Sequence, residues 1–262
     1  MIDAIYMVDS DNCEHRFAVL NPTRLSTNKD VERMSGHPGL ALWIARHAVT
    51  SAWLGSAMAA RSRPRRDWLL FLEAPTPTAL TMLRTLFDRV VAPPVTFLPV
   101  EELAEVLGSD QRDDLCIGGM VDPASEVVTL YRGDLRSITV PLSLFGATPD
   151  GLGPDMSAFS VTDYGRTLAF GEYEAAFDTV LYERDADYRR KLKEQRLAED
   201  RGFGPSLRRL RLQRGLRQSD FEGISAKTVA RIEGGQVESP NAKTIAILAE
   251  RLGVEADQLA EF

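Results

Sequence analysis

Between Gly204 and Phe262, short apolar-periodic segments alternate with glycines at spacings that a set of small packed helices satisfies. Ser206 is the expected cap of the first, with Leu207, Leu210 and Leu212 as its apolar face and Arg208, Arg209, Arg211 and Arg214 projecting elsewhere. Gly215 stops it. Ser219 and Glu222 are spaced as a capping box, Gly223 permits a tight turn, and Ser225 caps the next helix. In that helix Val229 and Ile232 face inward, and Glu233-Gly-Gly ends it. A further helix follows Ser239-Pro-Asn and runs from Ala242 to Leu252, and a last short one covers Ala256 to Ala260.

The inward positions leave Lys227, Thr228 and Arg231 on the outer side of their helix. Such donors fit a DNA major groove, where base edges present acceptors and a thymine methyl. An ordinary solvated helix face is the plainer reading of the same residues, and for Arg208, Arg209 and Arg211 it is the preferred one.

Leu216-x-Gln218, Thr228-Val-Ala-Arg-Ile-Glu-Gly-Gly235, and Pro240 followed by Thr244-Ile-x-x-Leu-Ala-x-x-Leu-Gly253 together resemble the Cro and phage-repressor family, the xenobiotic-response-element type of helix-turn-helix. The resemblance implies a five-helix DNA-binding domain. It places Gln218, with Ser219 beside it, and Lys227, Thr228 and Arg231 toward DNA, and Asn241 and Lys243 toward phosphate. One departure stands out: between Phe221 and Thr228 the chain is shorter than the family pattern by about three residues, nearly one helical turn. The second helix is therefore expected to be clipped. Arg217 also occupies the position where the family commonly has a capping Ser or Thr, which moves the expected cap to Ser219.

Charge supports a local rather than a global interface. The chain carries a net charge of -7, yet residues 1–183 hold 15 basic and 25 acidic residues while residues 184–262 hold 16 and 13. The stretch Arg184 to Arg217 alone has 12 basic and 5 acidic residues, a local surface that can bind phosphate on a molecule that otherwise repels it. With 44% hydrophobic and 26% charged residues the composition is that of a globular protein, and nothing in it demands disorder or a fibrous architecture. Cys13 and Cys116 lack any short spacing, so no disulfide framework or metal site is indicated, and reduced thiols in a cytoplasm are expected. The most apolar stretch, Pro38 to Ala60, contains Arg46 and His47, which argues against a membrane span.

Residues 1–35 read as loops and strands, with Asp9-Ser-Asp-Asn as a turn. Asp9 and Asp11 are better explained by that turn than as paired carboxylates, and His15, His37 and His47 are too scattered to form a ligand set. Pro38 to Ala60 reads as a buried helix carrying Leu42, Ile44, Val49, Trp53, Leu54 and Met58, followed by a solvated basic run, Arg61 to Arg66. A strand over Asp67 to Glu73, a Thr76-capped helix from Pro77 to Val91, a strand at Thr96 to Pro99 and a helix from Val100 to Leu107 predict an α/β layer with a half-exposed sheet. No glycine-rich phosphate loop follows either strand.

Leu115 to Gly171 predicts a meander of short strands, with a hairpin turn at Arg132-Gly-Asp. Within it, Ile138 to Phe145, Tyr164 to Phe170 and the tail Asp178 to Glu183 resemble a widespread small bacterial β-rich domain of unknown function, spanning Val128 to Glu183. Tyr173 to Asp200 then reads as a helical, increasingly charged linker.

The expected organisation is α+β. An α/β domain (1–112) and a small β-rich domain (113–183) lead through a basic helical linker (184–203) to an all-α helix-turn-helix domain (204–262). The expected function is sequence-specific regulation of transcription by a cytoplasmic DNA binder: a homodimer on double-stranded DNA, with the N-terminal region sensing a small-molecule effector, oligomerising or holding a protein partner. No cofactor, metal or membrane is expected. The alternative is an antitoxin-like or adaptor protein that binds a partner and regulates its own operon. An enzyme on residues 1–183 is disfavoured because no nucleophile elbow, metal cluster or phosphate loop appears.

Overall fold

The computed structural model describes residues 2–8, 14–46, 52–55, 67–147, 151–199, 202–237, 239–256 and 259. Asp9, Asp11, Cys13, His47, Val49, Met58, the basic run Arg61 to Arg66 and most of the expected last helix lie outside them, as does the side chain of His15. Helices and sheets mix in an α+β chain of two compact units, 1–185 and 186–262.

The first unit opens with five strands, all paired in parallel. They are β1 (Ala4–Val8), β2 (Thr23–Leu25), β3 (Ala41–Ala45), β4 (Trp68–Phe71) and β5 (Arg89–Val91), in spatial order β2-β1-β3-β4-β5. That order is one of the two common doubly wound arrangements. A 3-10 segment (Glu14–Leu20) follows β1, α1 (Asn28–Met34) follows β2, a helical turn at 52–55 follows β3, and α2 (Pro77–Leu86) follows β4.

Alternation along the strands sorts the core into two faces. Tyr6, Trp43 and Leu69 align across the sheet and pack with Val31 of α1, Leu54 of the turn at 52–55 and Leu83 of α2. Met7, Ile44 and Leu70 align on the opposite face and are equally buried. The sheet is thus covered on both sides rather than half exposed.

This double burial corrects the start of the expected helix over Pro38 to Ala60; residues 52–55 are helical as expected, and 47–51 and 56–60 lie outside the described residues. The apolar start of that stretch is the central strand β3, buried at every position. A parallel strand covered on both faces reads as an unbroken apolar run, and so does a buried helix. The helix from Pro77 is also shorter than expected. Thr76 caps it, accepting from the Ala79 N–H at 3.3 Å, but it ends at Leu86, and Val90 lies in the edge strand β5.

Beneath Trp43 sits a buried carboxylate. Asp67 accepts from the Trp43 indole N–H at 3.1 Å and from the Ala41 backbone N–H at 3.2 Å, tying the start of β3 to that of β4. The indole ring lies 4.6 Å from Tyr6 and 6.4 Å from Phe87, centroid to centroid.

Strand β6 (Thr96–Phe97) does not join the parallel sheet. It leads into α3 (Val100–Gly108), which packs on the Glu14–Leu20 segment, and pairs with β7 (Cys116–Asp122) across the expected 112/113 border. With β8 (Val127–Arg132) and β9 (Ser137–Pro141), β6 and β7 form an antiparallel sheet. A second meander joins β10 (Phe159–Thr162), β11 (Thr167–Phe170) and β12 (Tyr173–Ala176). The two sheets meet where β7 has no side chain: a Cβ on Gly119 would lie 2.8 Å from the Phe159 ring. Tyr173 to Ala176, expected as helix, form a strand because Gly171, at φ +68°, turns the chain back along β11.

Helix α4 (Phe177–Arg184) closes the unit, burying Phe177, Val180 and Leu181. The next residue, Asp185, is held at 2.6 Å by Arg132, a buried guanidinium at the hairpin turn that also pairs with Asp114 at 3.5 Å. Cys116 is buried beside it, and burial pushes its thiol up to about 12, which makes it a poor nucleophile. No helix of the described residues is long and apolar enough to cross a membrane.

Candidate nucleic-acid interface

The second unit begins with α5 (Ala186–Glu199) and continues through α6 (Phe203–Gln213), a single 3-10 turn (Gln218–Asp220), α7 (Ala226–Glu233) and α8 (Ala242–Leu252). Leu207, Leu210, Phe221, Val229, Ile232, Leu248, Leu252 and Leu259 form its core.

Helix α6 starts at Phe203, three residues before the expected cap, and Ser206 is buried inside it, its backbone N–H donating to the Gly202 carbonyl. The start fits the close approach of α6 to the end of α7. A Cβ on Gly204 would lie 2.1 Å from the Ile232 carbonyl oxygen, a backbone atom with little freedom to yield. Gly204→Ala is expected to destabilise this unit by about 1–3 kcal/mol or more through forced backbone displacement. A thermal melt equal to that of the native chain would refute this contact.

From Leu207, the positions three and four residues on are Leu210 and Arg211, and these share the buried face. Leu212, expected in the apolar face, is turned away and 56% exposed. Arg211, expected to project outward, is instead the hub of a buried ion pair. Its Nε lies 2.5 Å from Glu233 Oε1 and its Nη2 lies 2.9 Å from Oε2. Nη1 donates to the Leu216 carbonyl at 2.8 Å. The Glu233 hydrogen bonds raise the guanidinium above its ordinary value, and burial offsets part of the rise. Glu233 also accepts from Gln218 Nε2 at 2.8 Å, so one carboxylate joins α6, the 3-10 turn and α7.

The clipped second helix is shorter still than the sequence predicts. A single 3-10 turn remains, and its cap is not Ser219. Asp220 reaches back to accept the Arg217 backbone N–H at 2.8 Å, so Arg217 is the cap of the turn. That backbone bond is the chief reason the Asp220 carboxyl sits below its ordinary 3.8. A depressed folded-state value means that the cap acts in full above 3.8 and is lost as pH falls through the lower folded value. Gly223, at φ +85°, then turns the chain, and Ser225 Oγ accepts the Thr228 N–H at 3.1 Å to start α7.

On α7, Val229 and Ile232 are buried, while Lys227 and Arg231, one turn apart on one face, are exposed. Thr228 is half-buried, its hydroxyl 2.8 Å from that of Ser225. Ser219 is exposed beside the half-buried Gln218. Asn241 caps α8, accepting from the Thr244 N–H at 2.8 Å, and Lys243 is exposed in the first turn after it.

An open groove of about 400 Å³ is lined by Arg190, Lys193 and Glu194 of α5 with Arg208, Gln218, Ala230, Glu233 and Gly234, so among the described residues its charge is mixed, three cations against two carboxylates. The basic composition of α5 was its only sequence signal. Its folding onto the helical unit, rather than standing as a separate linker, brings that charge to the same groove.

Short helices around one core, with an outward-facing helix entered through a tight turn, define a helix-turn-helix module, the DNA-binding element of transcriptional regulators. Residues 203–262 match the family model of a helix-turn-helix domain. No curated protein and no solved structure matches the chain.

Proposed function

We propose that the chain is a sequence-specific transcriptional regulator of the Cro and phage-repressor kind, acting as a homodimer in the cytoplasm without catalytic activity of its own. The observation that carries this reading is the exposure of Lys227 and Arg231 on a helix whose back is locked to α6 by the Arg211–Glu233 pair. A rigid helix presenting cationic donors meets the acceptor-rich edges of the major groove, and Lys243 after the Asn241 cap meets phosphate. One such helix reads a half-site, and a two-fold pair reads a palindrome. The acidic first unit then oligomerises or senses an effector, and residues 128–183 are read as a small bacterial β-rich module.

Gel-shift competition against genomic fragments, followed by footprinting, tests the proposal. Lys227→Ala and Arg231→Ala should each cost about 1–3 kcal/mol of specific binding, with melts unchanged because both side chains are exposed. Affinity should fall steeply with salt. Binding that shows no preference among fragments, or that is unchanged in both variants, would refute it.

A further inference from the structure

The first unit contains a partly open cavity of about 160 Å³ lined by Met7, Arg16, Phe17, Ile44, Arg46, Leu72, Glu73 and Val100. Its position follows from the topology. Met7 lies near the carboxyl end of β1, Ile44 and Arg46 at that of β3, and Leu72 and Glu73 just past β4. After β1 the chain enters the Glu14–Leu20 segment, whose Phe17 lines the cavity with Met7 and Ile44. After β3 it reaches the turn at 52–55, whose Leu54 packs on the Tyr6 and Trp43 face. Adjacent strands whose connections leave toward opposite faces make the switch point at which doubly wound sheets hold ligands.

Among the described lining residues five side chains are apolar, and the charged ones are two guanidiniums and one carboxylate. Arg46 Nε lies 3.1 Å from Glu73 Oε1, with the two side chains 37% and 44% exposed. Arg16 contacts Glu101 at 3.6 Å, also at the surface. Exposed pairs of this kind contribute little to stability, so a competing carboxylate can exchange with Glu73 on Arg46. A guanidinium can also take such a carboxylate through two parallel hydrogen bonds. The apolar walls suit a compact hydrocarbon body, and a cavity of about 150 Å³ accommodates benzene.

We propose that this cleft binds a small organic monocarboxylate with an apolar body of about benzene size, its carboxylate on Arg46 in competition with Glu73. The proposal gives chemistry to the sensing role and rests on that reading only for its regulatory meaning. The test reads binding alone, so a chain that bound no DNA would still pass or fail it.

Calorimetric titration of the full chain with benzoate should show saturable one-to-one binding, with benzamide, its neutral counterpart, at least about 10-fold weaker. Arg46→Met should weaken benzoate about 10- to 100-fold, whereas Glu73→Gln should tighten it by removing the competitor. A merely structural pair would shift both variants in the same direction. The proposal is overturned by the absence of saturable heat with benzoate at millimolar concentration, by equal binding of benzamide, or by Glu73→Gln failing to bind more tightly. The last outcome is readable even where Arg46→Met does not fold.

Discussion

Glu233→Ala is expected to unfold the C-terminal unit at temperatures where the native chain is intact. The substitution removes both carboxylate oxygens from Arg211, leaving a guanidinium in a residue only 7% exposed with no anionic partner at 2.5 to 2.9 Å. Breaking a buried pair from one side costs about 3–5 kcal/mol, because the remaining charge stays desolvated. A folded domain has only about 0.05–0.15 kcal/mol of stability per residue, so a loss of this size consumes much of what residues 186–262 possess. Gln218 loses its acceptor as well, releasing the 3-10 turn from α7. Calorimetry on the full chain should lose or strongly lower the transition of this unit. Replacing both partners with apolar residues, Arg211→Met with Glu233→Leu, should recover much of the loss, since no charge is then stranded. A single variant that melts like the native chain would show that the pair is not the lock between α6 and α7.

Trp43→Ala should have a comparable effect on the first unit, about 3–5 kcal/mol for truncating a large aromatic side chain in a packed core. Trp43 has no exposed surface, stands on the central strand, and touches Tyr6 and Phe87. The variant also takes the indole donor from the buried Asp67. Trp43→Phe separates the two contributions: it keeps most of the packing and removes the hydrogen bond, for an expected loss of about 1–3 kcal/mol. Urea unfolding followed by circular dichroism measures both. Equal losses in the two variants would mean that the carboxylate, rather than the cavity, dominates.

The helix-turn-helix was legible because each of its signals is local. Gly215 and Gly223 take positive φ where the chain turns, Ser225 and Asn241 cap their helices, and the Val229–Ile232 spacing points inward. None of these needs a distant partner to be recognised. Arg211 is the opposite case. On a helix of arginines its sequence is that of a solvated face, and only Glu233, 22 residues on, distinguishes it from Arg208 and Arg209. Local capping signals likewise point to Ser206, whereas α6 starts at Phe203, where Gly204 meets the Ile232 carbonyl.

The same division runs through the first unit. Apolar runs mark Trp68–Phe71 and the α2 stripe wherever they pack, whereas the run at Ala41–Ala45 is compatible with helix or strand until its neighbours are known. Parallel pairing is a long-range event: β1 joins β3 across residues far apart in the chain, and β6 leaves the parallel sheet to pair with β7. The amino-acid sequence by itself determined the helix-turn-helix and the outward Lys227 and Arg231, through periodicity, caps and turns acting within a few residues. Tertiary structure alone decided that Arg211 is buried, that the sheet is covered on both faces, and that a cleft opens beside Arg46. Each of these depends on which remote surfaces meet, and burial, charge pairing and strand order are properties of that meeting.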